Sequence, residues 1–594
     1  MCALESYYLC MVNDEKLLEF AKELLGDSFA FRPHQLKTIK SIVENVVNGT
    51  KQTVLEAPTG SGKSIIGIVA AYALYKLYEM KSYILTSDLS LFEQYKNDLK
   101  HMNMRVNCFG WIKGKENYVC YANGCGVSQS ICSLRGYSPT SVAKDDSFNC
   151  RHSCEYVHDY IQAVHAPITL MTYQLYFIQR NYVESSIFKG RNMNFPKRDF
   201  VICDEAHKIC DICQAHFAPV ISILKPSWME TLDSYMHSFA SDSRRIDILS
   251  YIELSKDNDE LFDAMNMYAD YVSMYCGMNE VIRQRLSSKK QLSKKERQAL
   301  KAGNMARQEH CKLEDMASFI KSVGSTEYLV KTTAGNHITL NFVFDDIMLK
   351  KYFHGKSNSE LLMSATIGDA SQYAKLAGLD ETSFKHISMP SSFDFSQSPI
   401  YYSTINRMSY AEKNESFKPI AMQVIDICKY YDQRRGIIQT GSYANCDDLM
   451  RMLPREIAER CLVYKNAADK SIALSHFVSF GKNANDNHIL VGPTLVEGLD
   501  FPDDLCRFQI CIKVPFAHLG NEYVRKKRDC IDGWYQYDAM NKICQGIGRG
   551  IRHPNDWCKT YILDGCINSL VNQLEKFEVL SGRFIEYECC ESSH

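Results

Sequence analysis

Neither sign of charge is in excess in this 594-residue chain: 68 lysines and arginines stand against 70 aspartates and glutamates, a formal net charge of −2. No global positive field advertises a nucleic-acid partner, so any phosphate-binding surface has to be local. Long apolar runs are scarce too. The run from Ile65 to Tyr75 falls well short of the roughly 18 residues that suggest a membrane span, and Met1 to Cys10 holds Glu5 but no basic stretch to open a secretory leader. The expectation is a soluble, intracellular protein with no membrane partner, in the cytoplasm or, for a eukaryotic or viral source, the nucleus or host cell.

Cysteine, by contrast, is abundant, with 24 residues. Without a leader, thiols or thiolate–metal bonds in a reducing interior are expected over disulfides. With 45% apolar residues the chain can bury several cores and divides into about three to five domains.

Thr53 to Ala57 reads as a buried strand, Pro58 to Gly62 as a turn and Ser64 to Leu77 as a helix, so Ala57-Pro-Thr-Gly-Ser-Gly-Lys-Ser64 sits where a phosphate loop belongs. Thr59, Gly60, Ser61 and Gly62 would bring backbone amides to phosphate oxygens, Lys63 would reach the β/γ-phosphates and the Ser64 hydroxyl would ligate Mg²⁺. Ala57 replaces the first glycine of the general pattern. Downstream, Asp199 to Asp204 is an apolar strand ending in Asp204-Glu-Ala-His207. There Asp204 would hold Mg²⁺ through water and Glu205 would polarise the attacking water.

Beyond Pro399 a second α/β pattern begins, with apolar strands at 436–439, 489–492, 508–513 and 560–563. In Gln545-Gly-Ile-Gly-Arg-Gly-Ile-Arg552, Arg549 and Arg552 lie three apart, which puts both on one face if the segment is helical. Such guanidinium forks, presented across a cleft, suit charge on a γ-phosphate.

These motifs together resemble superfamily 2 helicases of the DEAH type. Phe31-Arg-Pro-His-Gln35 is similar to their adenine-reading segment, implying Arg32 and Gln35 as nucleotide contacts. Ile84 to Gln94 resembles the segment that touches nucleic-acid backbone through Thr86 and Ser87, and Leu362-Met-Ser-Ala-Thr366 the motif coupling hydrolysis to movement. Thr440-Gly-Ser-Tyr443, Gly492 to Asp500 and Gln545 to Arg552 resemble the fourth, fifth and sixth motor motifs. The resemblance implies Ser442 and Thr494 on nucleic acid, Asp500 at the nucleotide, and Lys63, Asp204, Glu205, Gln545, Arg549 and Arg552 in catalysis.

Trp111 to Cys120 resembles the lead-in to the iron–sulfur domain of the XPD/DinG branch, and Cys154-Glu-Tyr156 its exit; Cys125, Cys132 and Cys150 lie between. A [4Fe-4S] cluster takes four thiolates. Cys120, Cys132, Cys150 and Cys154 are the expected set, with Cys125 open as the alternative to Cys132. Zinc remains the competing metal, although only Cys150 and Cys154 approach the paired spacing of zinc knuckles. The loop is rich in glycine and serine and needs a staple to fold.

About 155 residues separate His207 from Ser364, more than one α/β unit needs. They carry helical periodicity, including a capping-box start at Ser293 to Glu296. In the resembled family an arch-shaped helical domain occupies this slot.

The expected fold is α/β: two RecA-like motor domains, the first interrupted by the Fe-S insert and the helical arch. Motor domain 1 comprises 1–110, 160–207 and 335–395, the cluster domain 111–159, the arch 208–334 and motor domain 2 396–594. The resemblance implies ATP and Mg²⁺ use, single-stranded and forked DNA as partner, 5′ to 3′ movement, a monomer, and repair or replication proteins as associates. The other class of reading is an ATP-regulated clamp without strand separation. Of two basic runs, Lys289 to Arg297 reads as a solvated helix face and Arg525-Lys-Lys-Arg528 as the better nucleic-acid candidate, with Tyr523, Trp534 and Tyr535 able to stack bases. Only about thirty residues precede Phe31, so a fused nuclease is not expected.

Overall fold

The computed structural model describes residues 12–587 apart from 59, 123, 147, 151, 182–194, 238–241, 290, 392–393, 481–485, 494–500, 549 and 552–554. Two seven-stranded parallel sheets organise it. The first runs Lys385–Ser388, Gln52–Glu56, Ser359–Ser364, Phe200–Asp204, Ser82–Thr86, Ile168–Thr172, Phe109–Trp111 in space. Apart from the exposed edge strand Lys385–Ser388, its strands are buried at every residue without alternation, because helices cover both faces of a parallel sheet.

Register decides what meets at the carboxyl edge of that sheet. Glu56 pairs with Ser364 and Asp204 with Met363, so the strands leading to the phosphate loop, the acidic pair and the Ser-Ala-Thr segment end side by side. Ligands of open α/β sheets bind at this edge. The second sheet runs Cys461–Val463, Ile489–Gly492, Gly436–Gln439, Phe508–Cys511, Lys559–Ile562, Ile400–Tyr402, Phe584–Glu586. The doubled parallel architecture is the one expected from the chain.

Two insertions leave the first sheet. Between Phe109–Trp111 and the helix Glu155–His165 the described residues of the cysteine segment form short helical pieces, among them Ile131–Arg135 and Pro139–Lys144, and one bridge between Val119 and Gly126. Between Phe200–Asp204 and Ser359–Ser364 stand the helices Ser227–Met236, Asp242–Leu254, Asn258–Leu286 and Lys294–Val323. The last two pack along one another, and Tyr268 Oη donates across the pair to Glu309 Oε1 at 2.9 Å. Ser293 and Glu296 form the capping box read from the chain. The insertion also carries strands: Val220–Ser222, His337–Phe342 and Leu329–Ala334 make a three-stranded antiparallel sheet whose hairpin turns at residue 335. Helical periodicity could not show it, since a short hairpin leaves no 3.6-residue signal. No helix among the described residues is long and apolar enough to cross a membrane.

Of the basic run at Arg525 to Arg528, Lys527 is withdrawn from the expected nucleic-acid face, while Arg525 and Arg528 stay exposed. Lys527 is buried against the first lobe, where it pairs with Asp345, bonds Tyr523 Oη at 3.3 Å and lies 4.7 Å from the ring of Trp534. An ammonium with an anion and two rings around it serves packing. Tyr523 and Trp534 are therefore committed to this contact, while Tyr535 stacks on Phe516 at 5.1 Å.

Candidate nucleotide site and cysteine centre

The phosphate loop follows from the strand Gln52–Glu56 and the helix Lys63–Tyr78. Gly60 and Gly62 take φ of 80° and 78°, the left-handed region where a side chain is strained. At Gly62 a Cβ would also lie 2.5 Å from Gln35 Nε2. Gln35 is buried and donates to Ser61 O at 2.7 Å, while its Oε1 accepts from Arg32 N at 2.9 Å. The Arg32 guanidinium bonds Gly60 O. Both expected nucleotide contacts are thus engaged with the loop's own carbonyls, a use that spacing could not disclose. Lys63 Nζ reaches Ala57 O at 3.5 Å. Thr59 lies outside the described residues.

Asp204 is buried, and its Oδ2 accepts from Tyr95 Oη at 2.8 Å. The same hydroxyl interacts with Ser64, so Tyr95 brings together the two expected Mg²⁺ ligands. Burial, and then the charge of Glu205, push the Asp204 carboxyl up, while Lys63 draws it back. A divalent ion would compensate a buried carboxylate beside a hydroxyl, so these residues fit Mg²⁺. Glu205 takes a left-handed φ of 52° and donates its N–H to Asp204 Oδ1 at 2.9 Å. This bend carries its side chain to His207, whose Nδ1 lies 3.3 Å from Glu205 Oε2 and 2.8 Å from Ser364 Oγ. Burial pulls the His207 imidazole down to about 4, so it is neutral at pH 7. Ser364 Oγ in turn lies 3.2 Å from Thr366 Oγ1, linking the acidic motif to the Ser-Ala-Thr segment. Tyr95 and Tyr173, whose hydroxyl donates to Asp204 O at 3.0 Å, escaped the sequence reading as site residues because a tyrosine in a helix carries no signature.

In the second lobe the helix Trp534–Ile547 carries Gln545 but ends with Gly548 as its C-cap. Arg549 and Arg552, like Thr494 and Asp500, lie outside the described residues. Gln545 borders a cavity at the strand ends of this lobe together with Gln439, Lys513, Phe516, Tyr535 and Lys542. Thr86 is fully buried, Ser87 donates to Asp88 Oδ2 at 2.9 Å, and Ser442 caps the helix Tyr443–Met452 by accepting from Asn445 N at 3.1 Å. None of these three hydroxyls is freely presented in this conformation.

Among the five cysteines of the insertion, Cys120, Cys132, Cys150 and Cys154 line one small cavity with Val127, Val142 and Tyr156. Burial holds the Cys154 thiol up, with Cys132, Cys150 and Cys120 adding to the effect. Cys125 does not border the cavity; its Sγ lies 3.4 Å from Gly126 O. No three cysteine, histidine or acidic side chains among the described residues converge on a single ion. A cubane cluster seats each thiolate on a different iron, whereas tetrahedral zinc needs all four about 2.3 Å from one point. The donor set and its apolar surround fit the cluster.

Two RecA-like lobes, a phosphate loop and an acidic pair on adjoining strand ends define a nucleotide-hydrolysing motor. Residues 425–575 match the helicase C-terminal domain family and residues 28–229 the type III restriction enzyme res subunit family. The "Probable ATP-dependent helicase" of Methanocaldococcus jannaschii is 22% identical over 90% of this chain and 91% of its own length. The ATP-dependent DNA helicase CHL1 of Saccharomyces cerevisiae is 34% identical over 13% of this chain, and the Fanconi anemia group J protein homolog of Gallus gallus 28% over 21%; each match covers 11% of the relative. Among solved structures, an XPD helicase superposes with a TM-score of 0.60 at 17% identity over 94% of this chain and all of the other, and S. tokodaii Xpd4 with 0.55 at 13% over the same shares. The chain is an ATP-hydrolysing helicase, similar in fold to the XPD-type superfamily 2 helicases.

Proposed function

We propose that the protein moves along single-stranded DNA in the 5′ to 3′ direction and separates duplex at a fork, with a [4Fe-4S] cluster held by Cys120, Cys132, Cys150 and Cys154. The observation that carries this reading is the convergence of those four thiols on one cavity in an insertion of the first motor lobe. The relatives named for DNA helicase activity support DNA as the track. Stacked Phe516 and Tyr535 beside Lys513 and Lys542, at the strand ends of lobe 2, support a single strand gripped by phosphate charge and base stacking.

In this reading Gly60 to Gly62 cradle the phosphates of ATP, and Lys63 balances their charge. Ser64 and Asp204 hold Mg²⁺, which when bound neutralises charge on the phosphate oxygens. Glu205 orients the attacking water, with neutral His207 holding that carboxylate toward Ser364. Gln545, Arg549 and Arg552 approach from the second lobe, so hydrolysis requires closure and closure advances the strand. The cluster, when bound, fixes a segment with little apolar core of its own. Motor domain 1 is assigned to 1–110, 160–207 and 335–395, the cluster domain to 111–159, the arch to 208–334 and motor domain 2 to 396–594.

The test is strand displacement by the anaerobically purified chain on duplexes with a 5′ or a 3′ single-stranded tail. ATP-dependent displacement confined to the 5′-tailed duplex is expected. ATP-dependent binding without displacement overturns the helicase reading in favour of a clamp, and displacement of the 3′-tailed duplex alone overturns the polarity. Iron and sulfide analysis of the same sample decides between cluster and zinc.

A further inference from the structure

Glu56 is the last residue of the strand that enters the phosphate loop, and no role in nucleotide binding falls to it. It is nonetheless 1% exposed, and its Oε1 accepts from Gly368 N at 3.1 Å. The backbone N–H groups of Ile367, in lobe 1, and Glu578, in the closing turns of lobe 2, also face the carboxyl. One side chain therefore collects donors from the Ser-Ala-Thr-Ile-Gly segment and from the opposite lobe.

That segment is held from the other side as well. Tyr537 Oη, on the helix that carries Gln545, donates to Ile367 O at 2.8 Å. Gly368 has φ 63°, and a Cβ there would lie 2.6 Å from the ring of Phe577 in lobe 2. Asp369 pairs with Lys576 at 2.7 Å, and Ser388 donates to Glu578 Oε1 at 2.6 Å. Residues 367–369 are thus clamped between Glu56 and the second lobe. A shift of the phosphate loop on binding or releasing phosphate has a packed, hydrogen-bonded route to the helix of Gln545.

We propose that Glu56 is a positioning residue that couples the state of the phosphate loop to the second lobe, through residues 367–369 and Tyr537. Such coupling needs an element whose arrangement both sites bias, and the clamped segment is that element. Titratable groups facing the carboxyl are Glu578, Tyr537 and Cys544, with the Asp369–Lys576 pair and His386 at the margin. Burial pushes Glu56 up to about 8; glutamine keeps the size of the side chain but replaces one acceptor oxygen with an NH2 group that the facing backbone N–H donors cannot bond.

The experiment rests on the DNA-motor reading and compares ATP hydrolysis, with and without single-stranded DNA, by the holo full-length chain, Glu56→Gln, Tyr537→Phe and the double variant. Expected are a KM for ATP within about twofold of the parent, a loss of DNA stimulation of kcat of about tenfold in each single variant, and a double variant no worse than either. An inflection near pH 8 is expected in the stimulated kcat of the parent and of Tyr537→Phe, and not in that of Glu56→Gln. Unchanged stimulation in both single variants, or strictly additive losses, overturns the coupling. Should Glu56→Gln not fold, Tyr537→Phe decides alone: stimulation at the parental level overturns the proposal. A parent chain that DNA does not stimulate instead refutes the DNA-motor reading.

Discussion

The nucleotide site and the cysteine centre both hang from the first parallel sheet, yet they are built in opposite ways. The nucleotide site is assembled before any ligand arrives: strand register sets Glu56 beside Ser364, and Gln35, Arg32, Tyr95 and Tyr173 tie the loop and the acidic strand in place. The cysteine centre has no such frame. Its helices are five and six residues long, and its thiols come together across a gap of up to 34 positions. A site framed by a sheet tolerates loss of its ligand, while a site framed by short turns depends on it.

The sharpest way to break this contrast is to remove one residue from each site. Lys63→Ala should cut the ATPase kcat by roughly a hundredfold or more, while far-ultraviolet circular dichroism and the melting temperature stay at parental values. A collapse of the fold would show that the nucleotide site is not self-supporting. Cys132→Ser should drop iron from about four per chain to near zero and render residues 115–150 sensitive to limited proteolysis. Cys125→Ser should keep its iron. Equal losses in the two variants would remove the distinction between them.

A smaller effect tests the seam between the lobes. Lys527→Met leaves Asp345 buried without its cation and should cost about 3 kcal/mol in denaturant unfolding, whereas exposed Arg525→Met should cost nothing measurable. Smallest is Tyr95→Phe. Losing one hydrogen bond to Asp204 should lower the unfolding free energy by about 1 kcal/mol and raise the KM for MgATP by no more than about fivefold.

What was legible in the chain follows the same division. Local patterns announced the phosphate loop, the acidic strand, the doubled α/β order and the Ser293 to Glu296 capping box, because each depends on neighbours a few positions apart. Lys527 was misjudged for the opposite reason. Four consecutive cations look like an exposed face, and only the docking of that helix on Asp345 shows that one of them is buried. Gln35 was placed near the nucleotide, but its bonds to the loop backbone depend on a turn that brings residues 35 and 61 together. No local pattern separates Cys132 from Cys125 as a ligand; in the fold Cys132 lines the cavity and Cys125 does not.

By itself the sequence determined which chemistry the chain carries: glycines where amides must approach phosphate, a lysine and hydroxyl after them, two carboxylates at a strand end, and a knot of thiols. These are properties of residue type and short spacing, which a chain holds before it folds. Only the tertiary structure decided which partners complete that chemistry. Tyr95 beside Asp204, Glu56 between the lobes and Lys527 in its buried pair each join residues roughly 110 to 520 positions apart. Such contacts arise from sheet register and lobe packing, and no local pattern encodes them.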